Sequence, residues 1–396
     1  RGPAHGSGGY GRPAGADRAD SRVRFRAGPR AGSAGPRRLS GVPELPEVES
    51  VRSGLARYLI GRAIEAVEIL DPRSLRRQAG GPGAFARQLA GRTVTAAVRR
   101  GKFLWLPLDD GRALSAHLGM SGQILVRGVL GTASPPGVVR PRRPELGGAR
   151  CAATAGGTDA IGMTGATDTA GMSAARASIL VRGPSVRPRH LRVRFRLAPV
   201  EGDAPGGAAV DLVDQRMLGG MHVTDLVPTA DGSSGGTGSP RALLPADASR
   251  LARDLLDPAL DRRAVIARMR SSRRAVKTIL LDQHVVSGVG NIYADEGLWA
   301  ARVHGLRPGD RLGPRVVMRL LKETAAVMER ALAVGGTSFD SLYVDADGAA
   351  GYFARELAAY GRGGLKCRRC GEAMRTEAIG GRSHTFCPRC QVRPRR

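Results

Sequence analysis

The chain has 396 residues, with 62 Lys and Arg against 35 Asp and Glu, a formal charge of +27. That length supports two compact domains with appendages, and so basic a balance calls for a polyanionic partner, nucleic acid first and an anionic membrane surface second. No apolar run approaches the roughly 18 residues of a membrane span, and the start lacks the apolar core of a secretory signal.

Residues 1–42 are Gly, Pro, Ala and Arg without apolar periodicity, and read as a disordered basic leader. They hold nine Arg against two Asp, so the rest of the chain is still strongly basic without them. Val42 directly precedes Pro43. The expectation is that translation starts at Val42 as an initiator methionine whose removal exposes Pro43; a genuine basic tail, trimmed by a protease, is the rival reading.

The stretch Pro43-Glu44-Leu45-Pro46-Glu47-Val48-Glu49 comes next. A proline with a free amine is a secondary amine that can attack an electrophilic sugar carbon and form an imine-type intermediate. Glu44 beside it can serve as general acid or base. The plainer reading is a proline-rich turn feeding a helix, with Pro46 in its first turn and acids set against the dipole. Val48, Val51, Leu55 and Leu59 recur at helical steps and Gly61 supplies a stop, which predicts one amphipathic helix over 47–60. Short β-type runs follow at 63–70, 93–98, 103–108, 113–118 and 123–126, and again at 191–197 and 209–213. The fold expected is α+β: an N-terminal β-sandwich over 43–228 with a leading helix. The stretch 128–188 is too long and pattern-free for a loop in a compact domain and reads as a disordered insertion. Residues 229–248 read as a flexible linker. Helical runs at 249–256, 262–269, 275–280, 294–301, 313–334 and 351–358 then define a second, helical domain over 249–365.

Residues 366–396 carry the strongest motif, Cys367-x-x-Cys370 and Cys387-x-x-Cys390. Four thiolates at two such knuckles predict one closed, structural Zn2+ site stapling a β-hairpin too small to fold alone. Paired knuckles of this kind belong to a reducing compartment, which puts the protein in the cytoplasm with the DNA. Upstream, helical segments flank Ser287-Gly288-Val289-Gly290-Asn291-Ile292-Tyr293, a turn able to offer N–H groups and the Asn291 amide to a phosphate; an ordinary helix connection is the alternative. Lys102 and His117 sit at strand ends, where they read either as phosphate grips or as a solvated basic edge with a structural histidine. Met120 lies on a loop bounded by Gly119 and Gly122, and a wedge pushed into a DNA stack would explain so large an apolar residue there.

These motifs, in this order, resemble the formamidopyrimidine-DNA glycosylase family of oxidised-purine repair enzymes. The resemblance implies a helix–two-turn–helix domain with a zinc-finger hairpin, double-stranded DNA containing oxidised bases as partner, no nucleotide cofactor and a monomer. It implies that Pro43 is the nucleophile, Glu44 the acid and Lys102 a further catalytic residue, with Glu47 orienting the base or a water. It assigns His117, Asn291 and Arg382 to phosphates, with Lys277 as a further candidate. It also sends Met120 into the gap left by an extruded base and Arg216 to the orphaned partner base. Leu218 departs from the family's phenylalanine wedge, and 341–350 matches its closing loop. Endonuclease VIII, which acts on oxidised pyrimidines, is the sister alternative, and a lesion-binding protein without lyase activity is the other if Pro43 stays in a peptide bond. Deleting residues 130–180 is expected to leave folding and strand cutting intact, checked by soluble yield and by cleavage of a lesion duplex.

Overall fold

The computed structural model describes residues 43–128, 189–204, 206–336 and 353–394. The leader, most of the insertion and the expected closing loop lie outside these residues.

Helix α1 (Leu45–Leu59) begins as its sequence suggests, with Pro46 in the first turn and the Glu47 carboxylate accepting the Glu44 N–H at 3.0 Å. Its residues divide between two cores. Leu45 is buried among the helices of the second half, while Val48, Val51, Leu55 and Leu59 face the sheets. The sheets are antiparallel. One has the order β1 (Ile64–Ile69), β6 (Leu191–Leu197), β7 (Ala208–Asp214), β5 (Gly122–Arg127). The other runs β2 (Val98–Arg100), β3 (Phe103–Pro107), β4 (Arg112–His117), β8 (Gly220–Pro228), β9 (Leu243–Pro245). Their facing side chains, among them Leu104, Leu114, Ile124, Phe195, Val210 and Met221, form one apolar layer, so the β-sandwich expected from the alternation is present.

Several elements differ from the sequence reading. Helix α2 (Gly81–Leu89) was hidden by Gly80, Gly81, Pro82 and Gly83, yet it buries Phe85 and Leu89 one turn apart. Residues 93–98 form isolated bridges before the short β2 rather than a strand of their own. Residues 229–248 are not a linker: they carry β9, and Thr237 pairs with Arg99 through both backbone groups. Three of the glycines that suggest flexibility there, Gly235, Gly236 and Gly238, are imposed by close backbone passage; a Cβ at Gly236 would lie 2.3 Å from the Arg99 carbonyl oxygen. The helix expected at 249–256 is an irregular segment following a 3-10 turn, in which Arg253 and Asp254 turn inward to ion pairs. At the far end, where 351–358 read as helix, the described residues 353–358 contain a 3-10 turn (Phe353–Arg355) and no α-helix.

The second half contains α3 (Arg262–Arg270), α4 (Val276–Leu280), α5 (Asn291–Ala300) and α6 (Pro314–Ala333), packed around Met269, Ile279, Tyr293, Leu298, Leu320 and Met328. The two turns between α4 and α5 are stitched by Gln283. Its amide donates to the Leu281 and Val289 carbonyls, and its oxygen accepts the Gly288 N–H. Among the described residues, no helix is long and apolar enough to cross a membrane.

The hairpin β10 (Arg375–Ile379) and β11 (Arg382–Phe386) is bracketed by the four cysteines, whose sulfurs all lie within 4.8 Å of one another. Cys370 Sγ is 3.4 Å from Cys387 Sγ and 3.5 Å from Cys390 Sγ. Tetrahedral zinc–thiolate bonds of about 2.3 Å set sulfurs roughly 3.8 Å apart, so this donor set fits one structural zinc. The Trp299 indole N–H donates to Cys367 Sγ at 3.4 Å, and the Arg369 guanidinium stacks on that indole 4.1 Å from its centre. Protein sulfur fills all four positions, so the ion acts as a clamp rather than a reagent.

One buried cation ties the halves together. Arg99 in β2 bonds Glu49 of α1 and Asp254 of the second half, each at 2.8 Å, and Asp254 also accepts the Gly101 N–H at 3.0 Å. Arg99→Met leaves Asp254 buried without its cation and is expected to destabilise the fold by about 3–5 kcal/mol. The check is the midpoint of chemical denaturation.

Candidate active site

The β2–β3 turn meets the helix–two-turn–helix element back to back. Gly101 has φ +57°, and a Cβ there would lie 2.5 Å from Ser287 Oγ and 2.7 Å from the Gly288 nitrogen, so only glycine lets the two turns touch. Lys102 follows directly and points into the seam. A cavity of about 400 Å³ opens along it. Its walls include Glu44, Lys102, His117, Met120, Asn291 and Arg382, so six of the expected site residues come together from both halves of the chain.

Glu44 forms one end of this cavity and is 2% exposed. Its carboxylate accepts the N–H groups of Gly290 and Ile292 at 2.8 Å each and that of Tyr293 at 3.3 Å. Backbone donors at a helix start favour the charged form, as does nearby Lys102, but burial and the neighbouring Glu47 oppose them. Burial dominates, and the carboxyl is pushed up to about 7. Between its ordinary 4.5 and about 7 the folded chain holds a proton that the unfolded chain has lost, so this group's contribution to stability falls across that window as pH rises. Burial also pushes the Lys102 ammonium down, with Glu44 and Glu47 pulling it back up.

His117 ends β4. Its Nδ1 accepts the Gly119 N–H at 3.1 Å, which leaves Nε2 to carry the proton. Burial, then Arg77, Arg76 and Lys102, hold its pKa down. Asn291 is the first residue of α5, and its amide donates to Ser383 Oγ at 3.1 Å, next to Arg382 at the start of β11. Arg216 is exposed on the β7–β8 loop, and Leu218 beside it is 43% exposed.

Besides Arg216, three expected residues sit elsewhere than in the cavity wall. Pro43 is buried beside it, one residue before Glu44. Glu47 has both oxygens engaged, by the Glu44 N–H and by the Tyr293 hydroxyl at 3.0 Å, and so secures the start of α1. Lys277 is fully buried. Its ammonium bonds Asp295 at 2.6 Å and the Ser383 carbonyl, which places it in the core rather than at a phosphate. Asp295 also takes His384 Nδ1 at 2.7 Å and the Thr385 N–H at 3.0 Å, and His384 Nε2 accepts the Gly305 N–H. This buried cluster fixes β11, and with it Arg382, against α5.

The sequence reading missed Phe103 and Tyr360 as cavity residues. Tyr360 is brought in by Glu296, whose carboxylate accepts the Ala358, Ala359 and Tyr360 N–H groups. Burial is the main cause that raises the Tyr360 phenol, with Glu44 and Asp295 adding to it and a hydrogen bond to Asn291 opposing it. The only local signal was an aromatic residue beside Gly361-Arg362.

Comparison with known proteins agrees with this arrangement. Residues 42–221 match the formamidopyrimidine-DNA glycosylase N-terminal domain, 251–342 the H2TH domain of the same enzymes, and 364–392 the zinc finger found in FPG and IleRS. The formamidopyrimidine-DNA glycosylase of Nocardioides sp. is 45% identical over 355 residues, covering 90% of this chain and 96% of that protein. That of Leifsonia xyli is 43% identical over 352 residues, covering 88% and 99%. The solved complex between Lactococcus lactis Fpg and DNA containing an abasic site has the same fold, with a TM-score of 0.63 at 23% identity over 89% of this chain and all of that one. Matching domains in matching order, together with near-complete coverage of its relatives, make this chain an enzyme of the formamidopyrimidine-DNA glycosylase family.

Proposed function

We propose that this enzyme excises oxidised purines, 8-oxoguanine and formamidopyrimidines, from duplex DNA and then cuts the strand on both sides of the lesion. It acts as a monomer in the cytoplasm. One observation carries the reading: a carboxyl with its pKa pushed up to about 7 lines a cavity shared with Lys102, His117, Asn291 and Arg382, one residue after Pro43. A base inside a stack must be extruded before it can be attacked. In the proposal Lys102, His117, Asn291 and Arg382 hold the backbone while Met120 and Arg216 occupy the gap.

The Pro43 amine then attacks C1′ and the bond from C1′ to the base breaks, the electron pair leaving with the base, which takes up the proton that the amine sheds. Glu44 gives its proton to O4′ as the C1′–O4′ bond opens, which leaves an iminium between Pro43 and the sugar. The iminium acidifies C2′–H. Loss of that proton expels the 3′ phosphate, loss of the C4′ proton expels the 5′ phosphate, and water hydrolyses the iminium to free Pro43. A group that must donate a proton near neutrality works best with its pKa there.

A second reading rests on the sequence itself. Val42 precedes Pro43, and a nitrogen within a peptide bond has no lone pair to offer. The family match beginning at residue 42 supports the first reading. The decisive test is borohydride trapping on an 8-oxoguanine duplex, using protein that starts at Pro43 beside the full chain. An adduct formed only by the shorter protein supports the mechanism; no adduct from either leaves a DNA-binding protein without lyase chemistry. A parallel assay on an oxidised-pyrimidine duplex separates the endonuclease VIII alternative.

Three outcomes follow from the electrostatics. Single-turnover cutting of a pre-formed abasic site is expected to fall as pH rises through about 7, where Glu44 loses its proton. Arg382→Ala should reduce the slope of log affinity against log salt by about 0.9, one counterion-releasing contact. His117→Ala at pH 7.5 should leave the slope unchanged, because His117 is held neutral.

A further inference from the structure

On the sandwich side, the loop that brings Met120 to the cavity wall lies against a second loop, which carries Arg216 and Leu218. They meet at a single buried carboxylate. Asp214, the last residue of β7, is 2% exposed and lies opposite Gly122 in the β5–β7 register. Its Oδ1 accepts the Ser121 hydroxyl at 2.5 Å and the Arg216 N–H at 3.1 Å, and its Oδ2 accepts the Gly219 N–H at 2.7 Å. The Arg216 N–H is shared with Ser121 Oγ at 3.0 Å. The backbones also touch: a Cβ on Gly119 would lie 2.5 Å from the Leu218 carbonyl carbon, and one on Gly219 would lie 2.9 Å from the His117 carbonyl oxygen. On the outer side, the Arg76 guanidinium donates to the Met217 and Leu218 carbonyls at 3.1 and 2.9 Å. Met217 itself is held at φ +56°, a conformation that a non-glycine residue keeps only when its surroundings impose it.

We propose that Asp214, through Ser121, is a positioning residue that locks the Met120 and Arg216 loops into one rigid wedge, so that the enzyme's choice of partner base depends on a carboxylate that touches no DNA. The proposal rests on the glycosylase reading above. Without the lock, the Arg216 loop still exists but its guanidinium is no longer fixed relative to the void that Met120 fills. Discrimination between partner bases then falls, because it depends on presenting Arg216 in one geometry. The chemistry at Pro43 and Glu44 lies on other elements and is unaffected.

The test uses protein starting at Pro43 and compares Asp214→Asn, Ser121→Ala and Ser121→Thr with the unchanged enzyme. The first readout is the ratio of single-turnover excision rates for 8-oxoguanine opposite cytosine and opposite adenine. The second is borohydride trapping on a single-stranded abasic oligonucleotide, which has no partner base. Losing a hydrogen bond to a charged group is expected to reduce the ratio about tenfold. Ser121→Ala should reduce it, Ser121→Thr should restore it, and single-strand trapping should be the same in all. An unchanged ratio in Ser121→Ala overturns the proposal, as does a loss of single-strand trapping in step with the ratio. Ser121→Ala and Ser121→Thr decide it alone if Asp214→Asn does not fold. Failure of the unchanged enzyme to trap at all refutes the glycosylase reading instead.

Discussion

The structure depends on one carboxylate from the start of the sandwich half reaching the start of a helix in the other half. A helix leaves its first N–H groups without partners inside the helix. For α5 those donors are taken by Glu44, which accepts from Gly290, Ile292 and Tyr293. The neighbouring sequence is shaped to permit it. A Cβ on Gly290 would lie 2.3 Å from the Glu44 carboxyl carbon, and one on Gly288 would lie 2.6 Å from a Leu45 methyl. The glycine turn that resembles a phosphate loop is therefore also the socket for α1. The same residue that closes the fold faces the cavity, and its burial raises its pKa toward neutrality.

Helix α5 extends this principle along its length. Asp295 holds β11 through Lys277, His384 and the Thr385 N–H, while the next residue, Glu296, holds the segment from Ala358 to Tyr360. Adjacent residues on a helix point about 100° apart, so these two carboxylates serve different neighbours. Tyr293, one turn from the start, reaches Glu47 in α1. Three pieces of chain that line or flank the cavity are thus referenced to one ten-residue helix, and their side chains hold station relative to one another without a contiguous sequence between them.

Much of this was legible in the sequence where the signal is local. The cysteine spacing announces the metal site because two knuckles need only their own thiolates. Strand 191–197 was readable to its ends because Leu, Val, Phe and Leu alternate with Arg. Where the reason lies elsewhere in the chain, the sequence misled. The Gly and Ser of 229–248 mimic a linker, yet Gly235, Gly236 and Gly238 answer to the backbones of Leu243, Arg99 and Ala97 against which they pass. Lys277 stood as a further candidate for a phosphate, because nothing beside it reveals that Asp295 and Ser383 enclose it. The importance of Asp214 and Asp295 lies in the number of groups that converge on them, which no local pattern reveals.

The double anchorage of β11 has a consequence for how this protein can be taken apart. Its hairpin is held by the metal at one end and by a buried cluster of Lys277, Asp295 and His384 at the other. The latter is made with partners on α4 and α5. A zinc finger built this way is not an independent cassette. Grafted onto another protein with only its cysteines, it would bind its ion and keep its local turns, but Arg382 would have no fixed bearing. A working transplant must carry the matching face of the two helices as well.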